Sequence, residues 1–134
     1  MQEIIELLGW INVFLLVFNL SLFISRRIYK YIIKDKKSKV AKYFVVIMNI
    51  LKRYHKLSGI LLIITGIIHG YLALNGNLYL HTGVILWLGI ILMFLMYWLG
   101  KVQVFKKIWV KWHRYLGFIL IVLLLIHLIN PWLL

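Results

Sequence analysis

Apolar positions along this chain gather into four long blocks, at about Leu7–Ser25, Leu57–Leu74, Leu78–Leu99 and Tyr115–Leu133. Each is close to the ~20 residues that an α-helix needs to cross a hydrocarbon core of roughly 30 Å. The pattern predicts an all-α membrane protein, one four-transmembrane-helix bundle occupying residues 1–134 as a single domain. A further apolar piece, VAKYFVVIMNIL from Val40, is too short to span. It reads either as an interfacial helix in the loop or as an extension of the second helix. The connection between the second and third blocks is a few residues long, so these two helices are expected as antiparallel neighbours.

Composition supports the same class, with 64% hydrophobic residues and a mean hydropathy of +0.97. Charge adds the topology. All 16 Lys and Arg fall in two stretches, Arg26–Lys56 and Lys101–Arg114, which four helices bring to one side. The positive-inside rule makes that side cytoplasmic and both termini extracytoplasmic, as expected of a multi-pass protein of the cell (plasma) membrane. Trp10, Tyr71, Tyr79 and Trp132 then mark the outer boundary, and Trp98, Trp109 and Trp112 the inner one. The first block follows an acidic MQEIIE and precedes Ser25-Arg26-Arg27, a stop-transfer flank, so it is expected to stay as a helix. A net charge of +13 without a folded basic face argues for anionic lipid as the partner and against nucleic acid. There is no cysteine, which excludes disulfides, thiolate-bound clusters and covalent CxxCH haem attachment.

Two segments carry the candidate chemistry. RYHKLSGILLIITGIIHG from Arg53 aligns with KWHRYLGFILIVLLLIHL from Lys111, matching two histidines and a glycine in each copy. His55 and His69 are fourteen residues apart, as are His113 and His127, close to four helical turns, so each pair shares a face. Both copies run in the same direction through the membrane, which sets His55 opposite His113 and His69 opposite His127. The two layers are separated by about 21 Å. Each layer offers two axial imidazoles to a six-coordinate haem b, so two haems b are expected, with inner iron ligands His55 and His113 and outer ligands His69 and His127. Polar groups at membrane depth are costly and usually have a task.

Neighbouring residues fit this expectation to different degrees. Arg53, Lys56, Lys111 and Arg114 bracket the inner pair, where anionic propionates need partners; topology alone also puts cations there. Gly59 and Gly117 lie a turn deeper, either leaving room for a macrocycle or serving close helix contact. No Lys or Arg stands near the outer pair, leaving Tyr71, Asn75, Asn77, Tyr79 and His81 as partners there. His81 opens the third helix and reads as a propionate donor, a proton relay, a substitute ligand or an interfacial histidine facing water. Asn12 and Asn19 share a face of the first helix and predict interhelical hydrogen bonds. Met48, Met93 and Met96 read as apolar filler.

At the paired histidines, and most closely at WHRYLG from Trp112, the chain resembles the ferric-reductase-like transmembrane proteins and related small di-haem b-type cytochromes. That group includes the membrane cores of NADPH oxidases and the haem subunit of the methionine-sulfoxide reductase system. The resemblance implies an iron-binding electron-transport protein working as the cytochrome subunit of a larger redox system, with a separate flavoprotein or quinone as partner. Members often have six helices, where this chain has four, and the chain carries no flavin or nicotinamide domain.

Four functions follow as alternatives. The first is transmembrane electron transfer through two bis-histidine haems. The second is a quinone-coupled oxidoreductase acting on an extracytoplasmic acceptor such as ferric iron, superoxide or a flavoprotein. The third is a structural anchor in which haem cements helices, and a homo-oligomer is compatible with any of these. The fourth, a divalent-metal transporter, is weakened because Glu3, Glu6 and Asp35 all lie at ends or in a loop.

Overall fold

The computed structural model describes residues 1–77 and 79–133. Four helices follow in order: α1 Gln2–Tyr31, α2 Lys39–Ala73, α3 Thr82–Leu99 and α4 Trp109–Ile129. Each contains a stretch long and apolar enough to cross a membrane. The expected first residue of the third helix, Leu78, lies outside the described residues.

Boundaries are set by local chemistry more than by hydropathy. The cationic flanks of α1 and α2 remain helical, because Lys and Arg are good helix formers. VAKYFVVIMNIL is accordingly the first third of α2. At 1.5 Å per residue, the 35 residues of α2 extend about 52 Å, well past a hydrocarbon core of roughly 30 Å. Its start is capped by Ser38, whose hydroxyl accepts from the Ala41 amide at 3.1 Å. Its end turns through Asn75 and Gly76, both at positive φ, with the Gly76 amide donating to the Tyr71 carbonyl at 3.0 Å. Downstream, α3 starts at an unusual cap, the His81 imidazole accepting from the Gly83 amide. Pro131 lies two residues beyond α4, whose cap Asn130 is already extended.

The helices run up and down. α1 packs most extensively along α2, α3 along α4, and α2 less extensively along α3. Polar pairs fix the α1–α2 register: Ser58 donates to Asn19 Oδ1 at 2.7 Å and Thr65 donates to Asn12 Oδ1. Both asparagines therefore make the expected interhelical bonds. Gly89 gives α3 and α4 their close approach, since a Cβ there would stand 2.7 Å from Leu120 Cδ2, and Leu120 is sealed in the core. Trp87 ties α3 to α2 by donating to the Ile63 carbonyl at 3.3 Å.

Few side chains are buried by the protein itself. Most of the apolar surface faces outward, including Phe14, Val17, Leu61 and Val122, as befits helices solvated by lipid tails. Among the described residues, α2 and α4 have no extended packing against each other. They are the two histidine-bearing helices.

Candidate functional site

The first pair of histidines meets between α2 and α4, at the end of the bundle that carries the lysines and arginines. The rings of His55 and His113 have centroids 6.1 Å apart, tilted by 63°. Two imidazoles that share one metal through bonds of about 2 Å can have ring centres up to about 6 Å apart. Both Nδ1 atoms are buried without a hydrogen-bond partner. The Nε2 atoms are not sealed in this way, and both rings line a cavity of about 670 Å³. That volume is within the range of cofactor sites.

The lining of this cavity is divided by depth. Away from the mouth the lining is mostly apolar, with Leu16, Ile63 and Ile121 among its residues and Asn19 as a polar exception. Gly59 and Gly117 border it: a Cβ on Gly59 would meet nothing within 4 Å, and one on Gly117 only Met93 Cε at 3.9 Å. Both glycines face open volume, unlike the close-contact glycine at position 89. At the mouth, Lys56 and Arg114 line the cavity, whereas Arg53 does not and Lys111 borders only a smaller pocket beside Tyr115. The other cations at the mouth are Arg26, Arg27, Lys30 and Lys52, three of them supplied by α1. Sequence reading passed over those three because it ended the first helix at Ser25. Continuing the helical period through SRRIYK would have found them.

At the opposite end His69 and His127 lie near a third imidazole, His81, and the close ring contact there is between His81 and His127 rather than between His69 and His127. His69 Nδ1 is 3.0 Å from the Ile5 carbonyl, and Gly9 on α1 gives its ring space, with a Cβ there 3.3 Å from His69 Cε1. His127 Nδ1 is 3.0 Å from Thr82 Oγ1, which in turn donates to the Pro131 carbonyl at 2.7 Å. His81 stacks on His127, centroids 6.3 Å apart and planes 30° apart, with Trp132 against its other neighbourhood at 5.4 Å. Gly83 is what admits both rings: a Cβ would lie 2.6 Å from His81 Cε1 and 2.9 Å from His127 Cε1. Burial first, and the neighbouring His69 imidazole second, push the His81 imidazole below its ordinary range. Thr82 and Pro131 were invisible as site residues in the sequence, since neither matches anything in the repeat.

The donor set decides what kind of group these sites suit. Among the described residues, no three His, Cys, Asp or Glu side chains converge to hold a bare metal ion. A pair of imidazoles beside a largely apolar cavity with a cationic mouth suits a cofactor that brings further metal donors and its own anionic groups. Haem b is a cofactor of that kind. Comparison with protein-family models, with characterised proteins and with solved structures finds no match for this chain.

Proposed function

We propose that this chain is a membrane electron-transfer subunit holding two b-type haems, each between one histidine of α2 and one of α4. The supporting observation is the His55–His113 pair, with ring centroids 6.1 Å apart beside a cavity of about 670 Å³. Haem bound there would supply a one-electron iron couple, with His55 and His113 as its protein ligands. His55 and His113 would hold the metal by Nε2, the nitrogen of each ring that is not sealed. Lys56, Arg114 and the α1 cations neutralise the propionates at the mouth. The mostly apolar lining would limit water around the group, and Gly59 and Gly117 place no side chain in its volume.

His69 and His127 would hold the second haem at the other end, about 21 Å away along the helices. In this reading the basic end is cytoplasmic and both termini are extracytoplasmic, following the distribution of Lys and Arg. The resemblance to ferric-reductase-like transmembrane proteins rests on the paired histidines and WHRYLG, and it suggests a separate flavoprotein or quinone as redox partner. The purified, haem-supplied protein should give b-type bands in a reduced-minus-oxidised spectrum and two haems per chain by pyridine haemochrome assay. A colourless protein refutes the proposal, and one haem per chain reduces it to a single centre.

A further inference from the structure

The three imidazoles at the far end can be sorted by counting hydrogens. Thr82 has one hydroxyl hydrogen, and its Oγ1 is 2.7 Å from the Pro131 carbonyl, which can only accept. That hydrogen is committed to Pro131, so the 3.0 Å contact with His127 Nδ1 requires the imidazole to donate. His127 is therefore held with its proton on Nδ1 and a lone pair on Nε2. The same count applies at His69, whose Nδ1 faces the Ile5 carbonyl, again an acceptor only. His81 is the reverse. Its Nδ1 accepts from the Gly83 amide at 3.0 Å, so its proton is on Nε2, an atom that is buried and has no partner.

We infer that Thr82 is the positioning residue of the far-end site, fixing His127 as a ligand through Pro131, while the Gly83 amide bars His81 from ligation and leaves it as a hydrogen-bond donor. The inference rests on the two-haem reading. A neutral imidazole binds a metal through its unprotonated nitrogen, and the partner of the other nitrogen selects which one that is. Thr82 is 1% exposed, so water cannot stand in for its hydroxyl. The relay also joins the start of α3 to the end of α4, because the Thr82 amide donates to the same Pro131 carbonyl. Among the described residues, His81 at 7% exposure contributes the one buried side-chain donor of this end that has no acceptor.

The test uses the full haem-loaded chain and four variants: His127→Ala, Thr82→Val, Thr82→Ser and His81→Asn. Haem per chain, the rate of haem loss to a scavenging apoprotein, and the low-spin ferric electron paramagnetic resonance signal are measured. His127→Ala should lose one haem. Thr82→Val keeps the shape but not the hydroxyl, and should release the far-end haem roughly 10–100-fold faster with an altered far-end signal. Thr82→Ser should restore the parent behaviour. His81→Asn retains a capping acceptor and should keep both haems. Parent-like haem loss and signal in Thr82→Val overturn the inference, as does loss of one haem in His81→Asn. Equal loss of both haems in Thr82→Val also overturns it, in favour of a purely structural role. Two haems in His127→Ala would instead remove the two-haem reading beneath it.

Discussion

Replacing Gly59 by leucine should act with opposite signs on the empty and the loaded protein. Leucine is nearly as good a helix former as alanine, and glycine costs about 1 kcal/mol more than either in a helix interior. A side chain at position 59 enters the cavity without meeting protein, since nothing stands within 4 Å of its Cβ. The haem-free variant is therefore expected to gain up to about 1 kcal/mol, roughly fivefold in its folding equilibrium. Haem-loaded protein should lose the basic-end haem, because the isobutyl group occupies part of the volume between His55 and His113. Gly89→Ala is the calibrating control. Its Cβ would stand 2.7 Å from Leu120 Cδ2 in a sealed contact, so an overpacking cost of about 1–3 kcal/mol opposes the propensity gain and leaves a net loss in both states. Unfolding in mixed detergent micelles followed by circular dichroism gives the stabilities, and pyridine haemochrome gives the haem count. Two tightly held haems in Gly59→Leu would refute the assignment of this cavity as a haem site.

Further outcomes follow from the same geometry. His55→Ala and His113→Ala should each remove one haem, the same spectral component in both cases, because the two rings serve one site. The two centres should titrate separately, with the basic-end centre more positive by about 60 mV or more, a factor of ten for one electron. Its mouth is lined by cations, while the Nδ1 hydrogen bonds of His69 and His127 raise ligand basicity at the other end. Arg26→Gln and Arg114→Gln should lower the basic-end potential and leave the far-end one in place, which a redox titration of each variant resolves. A double-mutant cycle on Asn19 and Ser58 should return a coupling of about 0.6 kcal/mol, typical of hydrogen bonds between membrane helices. Coupling indistinguishable from zero would show that lipid-phase partners replace this bond equally well.

Much of this molecule was written into its hydropathy and its periodicities. Four apolar blocks gave four helices, and fourteen-residue spacing put His55 with His69, and His113 with His127, on single faces, because helical geometry along one element is a local property. The clustering of every lysine and arginine in two stretches likewise required no structure to see. Helix ends were less legible. Hydropathy measures where lipid is tolerated, whereas helices continue through Arg26, Arg27 and Lys30 and begin again at Lys39, since charged residues with good propensity do not break them.

What one helix presents to another was decided only by packing. The antiparallel register of α1 on α2 turned three arginines and lysines of α1 toward the His55–His113 cavity, while Arg53 and Lys111, nearer in sequence, were turned away from it. Close contact of α3 with α4 at Gly89, together with the chain's turn at Pro131, brought a threonine, a proline carbonyl and an amide around two imidazoles. Those contacts set which nitrogen of His127 and of His81 carries a proton. A tautomer depends on the partner within hydrogen-bond reach, and residues 49 positions apart reach each other only in the folded bundle.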